Sequence, residues 1–354
     1  MATAHALQSN RSNIRESRFA DVELPPLADG QILARIDNFA FTSNNVTYGA
    51  IGDMIGYWKF YPAEDPWGHI PVWGFATVTE SNHPNVPVGT RFSGFLPMAT
   101  NVILQPSRVN DQTFTDVTPH RVELPPVYNN YTLAGASDDK AEAMANLFRP
   151  LFTTSFLIDD FFAENGNFGA EQIIIASASS KTALGAGFLM KDRPVKTIGL
   201  TSARNKAFVE ATGYYDSVLT YDEIGSLKGS GPSALSDMGG NGKVIGDIHN
   251  TLGDDLKISS VVGATHWDKM GPPADLPGPT PTMFFAPDLI VKRNKDWGVE
   301  GFNQRVADAT ARFYASMDGW IDVQRGQGDD ALLAAYNQMV EGKGNPAQGH
   351  VLSL

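Results

Sequence analysis

The chain has 354 residues, enough for two domains at about 150 residues each. Its 42% hydrophobic and 19% charged residues exclude a disordered chain, a collagen or a coiled coil. Its 27 basic and 39 acidic residues give a formal net charge of −12, which repels nucleic acid and anionic membrane surfaces.

Cysteine is absent, and with it disulfides, thiol nucleophiles and thiolate zinc sites. None of the seven histidines has a metal-ligand spacing such as His-x-x-x-His. The opening MATAHALQSNRSN lacks the apolar stretch of a signal peptide. The apolar run Leu151 to Phe162 is interrupted by Asp159 and Asp160 and falls short of the ~20 residues of a membrane span. The expectation is a cytoplasmic protein acting on a small molecule, with neither nucleic acid nor membrane as partner.

In chain order, Gln31 to about Pro106 reads as short strands: one placing Ile32, Ala34 and Ile36 on one face, then Val72 to Val78, then Arg91 to Leu96. Between them lies a connection rich in aromatics (Tyr48, Tyr57, Trp58, Phe60, Tyr61, Trp67). It reads either as a satellite apolar cluster or as the lining of a substrate site. After Ala141 the period becomes helical to about Phe152, and Ile173 to Ala176 reads as a buried strand. Then come helix Thr182 to Lys191, strand Thr197 to Leu200, helix Arg204 to Thr212, strand Ser217 to Thr220, helix Lys243 to Leu252, and strands Ile258 to Val262 and Thr282 to Ala286. This β/α alternation predicts a parallel sheet with helices on both faces. Helices Phe302 to Asp318 and Ala331 to Met339 and a strand near Val351 complete the chain.

Ile173 to Lys191 (IIIASASSKTALGAGFLMK) is a strand, a tight turn of small residues and a helix. A dinucleotide pyrophosphate sits at such a helix N-terminus, on its free backbone N–H groups. Ser177, Ser180 and Ala183 stand where a Gly-x-Gly-x-x-Gly fingerprint would have glycines; their small side chains still admit close backbone approach, and serine hydroxyls donate to phosphate. Lys181 opposes the helix dipole by about 0.3–1 kcal/mol unless an anion lies beside it, so it reads as a phosphate ligand or a tolerated solvent lysine. Gly185 and Gly187 are expected to let the helix pack closely on the sheet. The second strand ends Gly199-Leu200-Thr201-Ser202-Ala203-Arg204-Asn205-Lys206. Hydroxyls and two cations, without the acid that binds an unphosphorylated ribose, predict NADP rather than NAD.

At this point the pattern resembles the zinc-independent branch of the medium-chain dehydrogenase/reductase superfamily, similar to quinone oxidoreductases and enoyl reductases. Leu24-Pro25-Pro26-Leu27-Ala28-Asp29-Gly30-Gln31-Ile32-Leu33-Ala34-Arg35-Ile36 resembles the family's opening P-x-L-x-x-G-x-V-L-V-R-V strand, and Val88-Gly89-Thr90-Arg91-Phe92 its V-G-D-R-V turn. Ser177 to Ala183 falls without gaps on the G-A-x-G-G-V-G turn, and Lys206 and Tyr221 fall at the spacing of the family's 2′-phosphate ligands. Where zinc-dependent members carry Cys and Gly-His-Glu, this chain has Phe41-Thr42-Ser43 and Trp73-Gly74-Phe75, and Gly56 to Pro62 is an aromatic-rich insertion.

The resemblance implies an α/β protein: a GroES-like β-barrel domain over 1–148, completed by 296–354, and a Rossmann doubly wound parallel-sheet domain over 149–295, with substrate in the cleft between. It also implies a homodimer through the edge strand Pro281 to Pro287, which is apolar and needs covering. The expected NADP-binding residues are Ser177, Ser179, Ser180, Lys181, Thr182, Thr201, Ser202, Arg204, Lys206, Tyr221 and Phe285. Hydride from NADPH would reach the β-carbon of a C=C conjugated to a carbonyl, in an enone, quinone or enoyl thioester, without metal. A donor to the developing enolate is then needed. The resemblance implies a tyrosine, for which Tyr57 comes first and Tyr48 second; each taken alone reads as packing before catalysis. His266, after the strand Ile258 to Val262, is a further candidate or a plain loop histidine. Two alternatives stay open: a ketoreductase, and a catalytically silent NADPH-binding scaffold.

Overall fold

The computed structural model describes residues 2–135, 138–263, 275–317 and 319–354. By contact the chain divides into two units. The first is Met1–Leu147 with Val323–Gly344 and Gln348–Leu354, and the second is Phe148–Asp322 with Asn345–Ala347.

The first unit opens with an antiparallel hairpin, Thr3–Asn10 on Asn13–Glu23, which periodicity does not reveal. Most of Asn13–Glu23 faces solvent with polar or charged residues, so it lacks an apolar alternation. The main sheet of this unit has nine strands. Its centre is Ile32–Phe41, paired antiparallel with Pro71–Ser81 on one side and with Asn101–Leu104 and Gln348–Ser353 on the other. Beyond Pro71–Ser81 come Arg91–Pro97, Asn130–Leu133, Thr113–Asp116 and Pro106–Ser107, and beyond Gln348–Ser353 comes Asp322–Gln327. Ile32, Ala34 and Ile36 are buried as the alternation predicts, and Leu33 is buried as well because both faces are covered at this end.

The second unit holds a six-stranded parallel sheet in the spatial order Ser217–Thr220, Lys196–Thr201, Gln172–Ala176, Ser233–Asp237, Leu256–Val261, Thr282–Met283. Counted along the chain this is 3-2-1-4-5-6, so the winding reverses between Gln172–Ala176 and Ser233–Asp237, and ligands of such sheets bind at the carboxyl ends beside that reversal. Ile173 and Ile175 pack into one apolar layer with Leu157, Phe162 and Met190. Ile174 and Ala176 pack into the opposite layer with Leu200, Leu235 and Ile248. Each buried isoleucine contributes about 1.5–3 kcal/mol.

Helix Lys181–Met190 follows the first strand of this sheet. Its glycines make their close approach to partners other than the sheet. A Cβ on Gly185 would lie 2.5 Å from Ser155 Oγ, and one on Gly187 would lie 2.8 Å from the Tyr215 ring. Ser155 belongs to helix Asp139–Glu164, which continues past the expected end through Pro150 and the apolar run. The expected strand Thr282 to Ala286 is only Thr282–Met283, because helix Ala286–Ser316 begins there with Pro287 in its first turn. That helix buries Phe302, Ala309 and Phe313 in the second unit, and the chain returns to the first unit at Val323, later than the 296 expected from sequence.

Candidate functional site

In the turn after Gln172–Ala176 one residue takes the backbone conformation that a glycine would favour. Ser177 stands at φ 57°, a left-handed conformation that costs an L-residue about 1–2 kcal/mol. Ser180 caps the following helix, accepting from the Ala183 amide at 3.3 Å. A helix start leaves its first-turn amides without acceptors inside the helix, the arrangement that binds anions in many proteins. Lys181 lies in that first turn, half-buried, with Nζ 5.9 Å from the Phe148 ring centroid. Burial lowers its ammonium to about 8. Thr182 is half-buried beside it.

Three neighbouring strands bring the other residues to this edge. Ala176 is in register with Leu200, and Thr201 with Thr220, so the segments after each strand share one end of the sheet. Ser177 and Tyr221 meet through their hydroxyls at 3.3 Å. The Asn205 amide donates to Ser179 Oγ at 3.0 Å. Thr201 is fully buried at the end of its strand, and Arg204 is exposed. Ser202 Oγ is buried with no hydrogen-bond partner among the described residues, and such a group is stabilised by a ligand that bonds to it. Burial pushes the Tyr221 phenol up, partly offset by the Ser177 hydroxyl, so it stays protonated and able to donate. Phe285 lies apart from this group, half-buried where the sixth strand turns into helix Ala286–Ser316.

Two carboxylates that motif reasoning does not find also stand at this edge. Glu223 Oε2 accepts from Lys206 Nζ at 2.9 Å and from the Thr220 amide at 2.7 Å. That amide bond first, and then the lysine, hold its carboxyl down at about 2. Asp237 ends the strand on the far side of the winding reversal. Its oxygens accept from the amides of Gly239 at 3.0 Å and Gly240 at 2.8 Å, while burial pushes the carboxyl up to about 6.

The aromatic connection of the first unit is a packed cluster. The Tyr48 and Tyr57 rings stack at 4.5 Å between centroids, with Phe60, Phe95 and Tyr128 around them. The Tyr57 hydroxyl bonds that of Tyr128. Burial raises all three phenols; Tyr48 reaches about 12, moderated by Asn44 and Trp73. Both expected donors are therefore protonated at neutral pH. Tyr128, absent from the sequence reading, joins them only through the fold. Below the cluster, Arg121 is buried and ion-paired to Asp116 at 3.0 Å, donating also to the hydroxyls of Tyr61 and Tyr131. Thr42 and Trp73-Gly74-Phe75, at the zinc-family positions, are a helix cap bonded to Asn45 and part of a central strand. Among the described residues no group of three or more potential metal-ligating side chains gathers. His266 lies outside the described residues.

The 3-2-1-4-5-6 parallel sheet of one unit and the separate antiparallel sheet of the other make the fold a Rossmann domain with a GroES-like domain. The chain belongs to the family described as "Protein of unknown function (DUF2855)", whose model matches residues 39–345. No curated protein matches the sequence. Among solved structures it is similar to CurA from Vibrio vulnificus in complex with NADPH, at 13% identity and a TM-score of 0.65, covering 99% of this chain and 98% of that one. A mutant enoyl thioester reductase from Candida tropicalis is similar at 14% identity and a TM-score of 0.59, covering 100% of both chains. Mycobacterial Rv1454c complexed with NADPH is similar at 15% identity and a TM-score of 0.58, covering 99% of this chain and 100% of that one.

Proposed function

We propose that the protein is an NADPH-dependent, metal-independent reductase acting on a C=C conjugated to a carbonyl, as in an enone, quinone or enoyl thioester. The observation that carries this reading is the convergence of a small-residue turn, a helix N-terminus, the unpartnered Ser202 hydroxyl, Lys206 and Tyr221 at the carboxyl edge of a 3-2-1-4-5-6 sheet. Solved neighbours named for NADPH and for enoyl thioester reduction support it.

NADPH, when bound, supplies the hydride. Ser177, Ser179, Ser180, Lys181 and Thr182 would hold its pyrophosphate, and Thr201, Ser202, Arg204, Lys206 and Tyr221 its adenosine end, with Phe285 completing the set. Tyr57, with Tyr48 second, is the proposed donor to the substrate oxygen, and the Tyr128 hydroxyl bonded to Tyr57 can return a proton to it. The reading includes a cytoplasmic homodimer through the edge at Thr282–Met283, both of whose residues are exposed.

One observation favours the catalytically silent alternative. Ser177 and Tyr221 bond each other, and Lys206 pairs with Glu223, so much of the polar edge is satisfied from within. The deciding experiment is calorimetric titration with NADPH, followed by a screen of enones, quinones, aldehydes and enoyl thioesters for NADPH oxidation. Turnover of an enone, quinone or enoyl thioester is expected. Turnover of aldehydes alone would make it a ketoreductase, binding without turnover a silent binder, and no binding would overturn the reading.

A further inference from the structure

Lys206 is the cation that the sequence assigns to a 2′-phosphate, yet its ammonium is already engaged by the Glu223 carboxylate at 2.9 Å. Glu223 is not free to swing away. The same Oε2 caps the turn Tyr221–Leu227 through the Thr220 amide at 2.7 Å, in a Thr220/Glu223 capping box. A 2′-phosphate reaching Lys206 therefore meets a fixed negative charge on the same ammonium, and like charges at such separations repel. The pair is partly open to solvent, with side-chain exposures of 30% and 43%, so screening moderates the repulsion without abolishing it. A ribose carrying only a 2′-hydroxyl meets no such penalty and can donate a hydrogen bond to the carboxylate.

We propose that Glu223 is a specificity-determining residue of the adenosine end, one that lowers the preference for a 2′-phosphorylated dinucleotide over its unphosphorylated counterpart by occupying Lys206. The inference rests on the reading that this edge binds a nicotinamide dinucleotide. It adds that the chain's own carboxylate sets how strongly the phosphate is selected. On this account the unmodified protein separates 2′-phosphorylated from unphosphorylated ligands by less than the roughly hundredfold that two unopposed charge-assisted contacts would give.

The test uses 2′,5′-ADP and 5′-ADP as probes of this end alone, titrated calorimetrically into the full chain, its Glu223→Gln variant and Glu223→Gln with Lys206→Ala. Glutamine suits the N3 position of a capping box, so the turn is retained while the charge is removed. Glu223→Ser, also neutral, serves as a second variant should the first fail to fold. The expected result is that either neutral variant binds 2′,5′-ADP about tenfold more tightly and 5′-ADP within about twofold of the unmodified protein, and that adding Lys206→Ala cancels the gain. An unchanged ratio in a folded variant, with 2′,5′-ADP still bound, overturns the role of Glu223 and leaves the cofactor reading standing. Failure of every form of the protein to bind either probe overturns both.

Discussion

At the scale of single residues, the site joins what a motif can show to what only folding assembles. Ser177 and Ser180 are legible because they are neighbours on one turn. Glu223 lies 17 residues after Lys206, and the helix and turn that carry them meet because the strands before them pair; Tyr128 is 71 residues from Tyr57. Neither separation is a helix or strand period, so neither partner announces itself. If Tyr57 donates to substrate, Tyr57→Phe should lower turnover by about 10²–10⁴ while leaving NADPH affinity within about twofold, as single-turnover kinetics and calorimetry together will read. The left-handed Ser177 makes a sharper conformational prediction. Glycine there removes the strain but adds disorder to the unfolded chain, so Ser177→Gly should shift stability by less than about 1 kcal/mol. Ser177→Val puts a β-branched residue at φ 57° and should cost at least about 1–2 kcal/mol; denaturant midpoints of the two variants decide.

At the scale of elements, legibility tracked burial and residue type. Gln172–Ala176 is visible because its three consecutive isoleucines belong to a strand buried on both faces. Ser233–Asp237 is equally buried, but Ser-Ala-Leu-Ser-Asp has neither β-branched residues nor alternation and passes for a loop. Its partners on both sides, with Ala176 opposite Asp237 and Asp237 opposite Val261, make it a strand. The glycines of helix Lys181–Met190 were legible as a packing face and misassigned in their partner, since sequence cannot say that helix Asp139–Glu164 crosses at Ser155. Ser155 donates to the carbonyls of Leu151 at 3.0 Å and Thr182 at 2.7 Å, which pins the two helices together. Gly185→Val should therefore cost about 1–3 kcal/mol by overpacking, seen as a lowered thermal midpoint with the cofactor absent.

At the scale of the whole molecule, the N-terminal hairpin is tied to helix Asp329–Val340 through the buried Tyr336 hydroxyl, which bonds Ser9 and Ile14, and at the surface through His5. His5 bonds Asp21 through Nδ1 at 2.6 Å and Asp329 through Nε2 at 3.0 Å. Those carboxylates hold its imidazole above the ordinary value of 6.5, the Asp21 hydrogen bond first. A raised histidine contributes its full stabilisation below the unfolded value and loses it as pH climbs through the folded one. The stability gap between the unmodified protein and His5→Asn should thus be larger at about pH 5.5 than at about pH 8.5, and small throughout because the pair is partly exposed. Chelation offers a second check. With no cysteine and no gathered donor set among the described residues, EDTA should leave the unfolding transition unmoved; a lowered midpoint would point to a bound metal.

The strand Gln348–Ser353, which borders Ile32–Phe41, gives the protein a history as well as a shape. A ribosome making this chain releases Phe39 and Phe41 early, and supplies the strand that covers their edge only after the entire second unit has been translated. At about 5–20 residues per second that interval is roughly fifteen to sixty seconds, through which an apolar sheet edge stands open to any other nascent chain. The parallel sheet of the second unit faces no such wait, since its strands emerge within one stretch. The order of completion is therefore the reverse of the order of synthesis: the part begun first is finished last, and chains halted after Ala347 should collect in aggregates where complete ones do not.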